Sequence, residues 1–158
     1  MGQPLSSYDS DFVAWTAEQA AVLRHAAELR PNLPADWLNL AEEVESMGKS
    51  DKRAAESHLV GIIEHLLKLE FSPAVEPRRG WEESVDHHRR ALARLLEDSP
   101  SLRAHVADRL AACWRDGRKD AARGLMRDGL GDGALPAACP YTLDQCLDVD
   151  WWPGARVG

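Results

Sequence analysis

Basic charge is scarce in this chain of 158 residues: 19 Lys and Arg stand against 26 Asp and Glu, a net charge of -7. Without a basic face to displace counterions from phosphates, general nucleic-acid binding is disfavoured. Long hydrophobic runs are missing too. No stretch approaches the ~20 apolar residues that cross a bilayer as a helix. Cysteine is sparse, with only Cys113, Cys139 and Cys146, an odd number without metal-ligand spacing. No secretory signal precedes them, so a disulfide framework is not expected and a reducing cytoplasm is the expected location. Aromatic residues make up 6% of the chain and β-branched residues are few, which argues against a sheet protein. The chain also lacks Glu-x-x-His and His-Glu-x-x-His, the helical signatures of di-iron and zinc enzymes. Its glycines at 124, 129, 131 and 133 follow a helical segment rather than a strand, so a phosphate-binding loop fails on context.

What the chain has in quantity is Ala, Leu, Glu and Arg, the composition of helices. A length of 158 residues fits one domain with a sizeable core. The expected architecture is all-α: a single helical domain over residues 1–158, with four main helices around one long central helix and a short C-terminal helix. Residues 1–8 are expected to be a flexible start and 139–158 an anchoring segment.

The organising stretch runs from Pro34 to Pro73. Trp37, Leu40, Val44, Met47, Asp51, Ala55, His58, Ile62, His65, Leu66 and Leu69 recur at spacings of three and four, which places them on one face of a helix. Asp36 is positioned to cap it. Gly48 is its one weak joint, yet the apolar phase agrees on both sides, so a continuous helix is predicted. Because Gly48 lies near the packed face, its missing side chain would also let another helix approach closely.

Before this stretch, Asp9 or Asp11 can cap a first helix whose apolar positions are Phe12, Trp15, Val22, Leu23, Ala26 and Leu29, with a stop at Pro31. Thr16 and Gln19 have capping-box spacing, so a step at Thr16 is an alternative. After it, Trp81, Val85, His88, Leu92, Leu95 and Leu96 mark a third helix returning antiparallel. Ser99 and Pro100 then read as the start of a fourth helix carrying Leu102, Val106, Leu110, Cys113, Trp114, Ala121 and Leu125. Thr142 and Gln145 suggest a short capped helix from about Leu143 to Leu147, with Tyr141, Trp151 and Trp152 as anchors.

Several blocks, YDSDFVAWTAEQA, DWLNLAEEVESMGKS, EHLLKLEFSP, a Trp-led helix ending LLEDSPSL, and CPYTLDQCLDVDWWP, resemble in order and spacing the bacterial family called domain of unknown function 29. The resemblance covers Tyr8 to Pro153. It implies a small all-helical protein and brings no activity, so no catalytic or cofactor-binding residue is carried over. The segment LLKLEF at Leu66 to Phe71 departs from the aromatic expected near Leu69.

Two functional classes remain. The first is a binding module without catalysis that joins a protein partner or a second copy of itself, with no membrane and no nucleic acid. The alternative is a metal-binding bundle: His65 and His88, both in inward phases, with Asp51 as an acidic third ligand for a transition metal. His58 and His65 lie seven residues apart, about 10 Å along a helix, too far to share one ion. Against the metal reading stands the ordinary fate of a core histidine, neutral and satisfied by a hydrogen bond. Glu43 and Glu45, on the two edges of the long helix, are expected to pair with basic side chains such as Arg89 and Arg90.

Overall fold

The computed structural model describes residues 5–29 and 32–154. Among them are six α-helices and no strand: α1 (Phe12–Leu29), α2 (Trp37–Phe71), α3 (Arg78–Asp98), α4 (Leu102–Asp108), α5 (Leu110–Arg127) and α6 (Leu143–Leu147), with a single 3-10 turn at Asp132–Ala134. The all-α expectation holds. The expected stop at Pro31, part of the flexible start and the last four residues of the anchoring segment lie outside the described residues.

Helix α2 is one unbroken rod of 35 residues, roughly 50 Å long at 1.5 Å per residue. Its ends are fixed by local chemistry. Asp36 accepts from the Asn39 backbone N–H, and the Ser72 backbone N–H donates to Lys68 O at the other end. Thus Gly48 is not a hinge. It is a contact point: a Cβ there would overlap the Thr16 hydroxyl and lie 3.3 Å from Thr16 Cβ, so its bare backbone lets α1 approach closely. Thr16 does not break α1 either, because its Oγ1 donates to Val13 O at 2.7 Å within a continuous helix.

The first half of α2 forms a hairpin with α1, and the second half carries the main core. There Leu59, Ile62, Ile63, Leu66, Leu67 and Leu69 are buried with Val85 and Leu92 of α3 and Leu102, Val106, Cys113, Trp114, Ala121 and Leu125 of α4 and α5. Fully burying one such side chain stabilises by roughly 1.5–3 kcal/mol. The α1 end is tied to this body by Asp11. Its carboxylate accepts from Ala14 N at 2.9 Å, capping α1, and from Ser101 N at 2.7 Å and Ser101 Oγ at 2.9 Å. Val13 N donates to the buried Ser99 Oγ at 3.0 Å.

Two sequence expectations need correction here. Ser99 does not open the fourth helix; it ends α3, its N–H donating to Leu95 O. The single fourth helix is also two, stepping at Arg109 (φ -93°, ψ 0°). The hydrogen-bond ladder continues through the step, from Arg109 N to His105 O and from Cys113 N to Arg109 O, so no proline or glycine announces it. The step lets two side chains converge on one carboxylate: His105 Nε2 lies 2.8 Å and Arg109 Nε 3.3 Å from Glu56 Oε1.

The described part of the C-terminal segment packs on the core through Tyr141, Cys146 and Trp151. Thr142 and Gln145 form the full capping box of α6. Buried Tyr141 donates from its hydroxyl to Glu70 Oε2 at 2.6 Å, and its ring meets Trp151 edge-on. Arg89 is 1% exposed, so it is not the surface partner expected for Glu43 or Glu45. Instead its Nε donates to Cys146 O at 2.9 Å and its Nη2 to Gln145 O at 3.0 Å, with the Trp152 ring 5.0 Å from the guanidinium carbon. A buried cation here meets the free carbonyls at the end of α6.

Candidate functional site

The bulky apolar stripe that the sequence displays on α1 is not the stripe the fold buries. Val13, Thr16 and Ala20 face α2 and are buried, whereas Val22 is 48% and Leu29 67% exposed. Phe12, Trp15, Gln19, Val22, Ala26 and Leu29 repeat at spacings of three and four, one residue before the buried set and therefore rotated by about 100°. Helix α2 shows the same offset. Ala41 and Gly48 are buried, Gly48 directly under Thr16 of α1, while Leu40 and Met47, one residue earlier, are 46% and 47% exposed. This corrects the expected seam: over its first half it runs through Ala41 and Gly48, not Leu40 and Met47. Beyond Ala55 the expected positions Ile62, Leu66 and Leu69 are buried as read.

Since α1 and α2 run antiparallel, an offset of one residue backward on each helix turns both stripes to the same side of the hairpin. Phe12 and Met47 accordingly line one hollow with Glu43, Ser46, Ser50 and Asp51. At the base of this side Tyr8, Phe12 and Trp15 form an aromatic trio, with Tyr8 edge-on to both rings at 5.5 and 5.0 Å. The opposite side is charged. There Arg24 reaches Glu45 at 3.2 Å and Glu42 at 3.7 Å, and Lys49 reaches Glu45 at 2.8 Å. Hydrogen bonds from Lys49 and Arg24 hold the Glu45 carboxyl down at about 2. The hairpin thus has one ion-paired edge and one whose bulky side chains, Phe12, Val22, Leu40 and Met47, are apolar and stand among Glu43, Ser46 and Ser50, and Leu33 and Leu38 extend exposed apolar surface around its tip.

Farther along α2, His58 and His65 meet His88 of α3, with His87 beside them. His58 Nδ1 and His88 Nδ1 are 3.0 Å apart, so one carries the proton and the other accepts it. His65 Nδ1 lies 2.7 Å from Gly61 O, which fixes that nitrogen as the donor. Gly61 is the floor of the cluster, where a Cβ would overlap the His88 ring. Burial first, then the neighbouring imidazoles, depress the protonation of His58 and His88 below the ordinary histidine value.

Of the metal candidates the structure brings His65 and His88 together, with ring centroids 6.1 Å apart. Asp51 does not join them. It lines a separate hollow with Tyr8, Asp9, Phe12 and Asp98, its carboxyl pushed above the usual range by burial and by Asp98. Among the described residues no group of three or more His, Cys, Asp or Glu is placed to hold a metal ion. The cysteines offer no activated thiol: burial raises Cys113 to about 11 and Cys146 to about 12, and Cys139, half-buried, is raised too. No helix among the described residues is long and apolar enough to cross a membrane.

A solved structure, an alpha-helical protein of unknown function from Rhodospirillum rubrum, is similar to this chain at 27% identity with a TM-score of 0.76 over 92% of each chain. No curated protein matches. The family model described as domain of unknown function DUF29 matches residues 7–152. With nearly the whole chain inside that match, from the aromatic trio to the C-terminal clasp, the protein belongs to the DUF29 family.

Proposed function

We propose that this chain works by binding a helical protein surface along the apolar edge of the α1–α2 hairpin, and that its role is binding rather than catalysis. The observation that supports the reading is the pair of stripes. A helix that needs only one packed face carries a second at the same heptad-like spacing, and the fold leaves Val22 and Leu29 of that second face exposed and Phe12 and Trp15 half-buried. Isolated exposed leucines are ordinary on protein surfaces. A row matched across two antiparallel helices, with the Arg24 and Lys49 pairs to Glu45 on the other edge, is what an interface core needs.

The test compares proteins retained from the native host by the wild-type chain, by a Val22→Asp/Met47→Asp chain and by a Glu42→Gln chain. A retained protein that the apolar-edge chain loses and the charged-edge chain keeps is the expected result. Retention that is indifferent to both substitutions would remove the hairpin edge as the binding surface.

A further inference from the structure

Arg89 carries a charge that the fold does not answer. It is 1% exposed, and burial lowers its pKa from the usual guanidinium value, yet a guanidinium stays charged. No carboxylate pairs with it among the described residues; Asp86 and Asp148 act on it only from a distance. Nε and Nη2 share one edge of the planar group, and that edge donates to the carbonyls of Cys146 and Gln145 at 2.9 and 3.0 Å. Nη1 lies on the other edge. It is buried without a hydrogen-bond partner, and among the described residues the one other such side-chain atom, Trp37 Nε1, belongs to a neutral ring. Clasping α6 and stacking on Trp152 therefore account for part of this side chain and leave Nη1 without an acceptor.

The same residue floors a recess. About 400 Å³ of space opens between α3, the start of α4 and the end of α6, and Arg89 is the one buried residue among those that line it. The walls are apolar, formed by Ala93, Leu96, Pro100 and Leu147, and the rim carries one charge of each sign, Glu97 and Arg103. Arg103 pairs with Asp144 through two exposed side chains, a pair that water screens and a ligand can exchange. We propose that this recess binds a small organic monocarboxylate, its carboxylate held between Arg89 Nη1 and the Arg103 guanidinium and its aliphatic or aromatic body against the apolar walls. Each part of that ligand answers a feature of the site. A buried cation without a counter-ion favours an anion that is desolvated with it, and the planar donors of two arginines match a planar carboxylate. The apolar walls favour an organic body over inorganic phosphate. Glu97 at the mouth disfavours a second negative charge on that body. Nη1 is covered as the side chains stand, so binding includes a shift of the rim, of which the exposed Arg103 side chain is the movable member.

The chain labelled for nitrogen NMR is titrated with hexanoate, and with hexanol and inorganic phosphate as controls. The reporters are the Nε–H resonance of Arg89 and the amides of Ala93, Leu96 and Leu147. Saturable shifts with hexanoate, and at least tenfold weaker binding of either control, are the expected result. Replacing Arg89 would release α6, so the recess is filled instead. Ala93→Trp, with circular dichroism as the check on folding, should weaken hexanoate binding at least tenfold, and Arg103→Gln should weaken it several-fold. No saturable shift up to the solubility limit of hexanoate overturns the site. An equal response to hexanol removes the Arg89 charge from recognition and an equal response to phosphate removes the apolar body; either overturns the monocarboxylate. Hexanoate binding unchanged in both variants is an adventitious contact only, and overturns the recess as the place of binding.

Discussion

His58 and His88 show how much a single shared proton can govern at one helix interface. Their 3.0 Å contact requires at least one neutral ring, and both are depressed from the usual 6.5 by burial. A histidine harder to protonate when folded than when unfolded contributes stability that is complete above its unfolded value and is lost as pH falls through 6.5 toward the folded values. Other groups face the pair, namely His65 and Glu64 from α2 and His87 from α3. Thermal unfolding should therefore fall between pH 7.5 and 5.5, and His88→Gln should flatten most of that decline; an unchanged slope would show that the pair is not its source. Tyr141→Phe tests a different buried contact. Removing the hydroxyl that donates to Glu70 should destabilise by about 1–3 kcal/mol in urea denaturation. Neither contact was legible in the sequence, because pairings across 30 and 71 positions leave no local trace. Only the inward phase of His58 and His88 could be read, and that phase cannot distinguish a metal ligand from a shared proton.

Among the elements, α2 was the most readable and its surroundings the least. Asp36 before the first turn and the Thr142–Gln145 box are short-range chemistry, and both appear as written. The α1–α2 contact was misplaced by one residue because pattern reading weights bulky side chains. The contact runs through Gly48 against Thr16 and Val13, with Ala20 and Ala41 buried nearby, mostly residues too small to dominate a hydrophobic period. The step at Arg109 was missed for the related reason that the apolar phase runs on through it. Gly48→Ala examines this small-residue contact. Alanine should gain about 1 kcal/mol in helix propensity, but overlap with Thr16 should cost more, typically 1–3 kcal/mol for overpacking. The expected net effect is destabilisation, and adding Thr16→Ala should recover most of it in a double-mutant cycle. A stabilised single variant would mean that α1 does not sit on Gly48.

For the molecule as a whole, one rod joins two regions of unequal packing. The half of α2 from Leu59 to Glu70 is enclosed by α3 and α5, and Tyr141 of the C-terminal segment closes on Glu70. The half from Leu38 to Met47 is held by α1 through small side chains and by ion pairs around Glu45 whose members are substantially exposed and so contribute little. Continuous hydrogen bonding does not make a helix uniformly stable; protection follows the tertiary packing that each turn receives. In the Val22→Asp/Met47→Asp chain, amides of residues 60–70 should exchange at the rate set by global unfolding. Amides of residues 41–47 should exchange at least a hundredfold faster through opening of the hairpin alone. Uniform protection along the double variant would mean that the hairpin unfolds only with the core. Its open edge would then belong to a rigid body rather than to an arm that opens by itself.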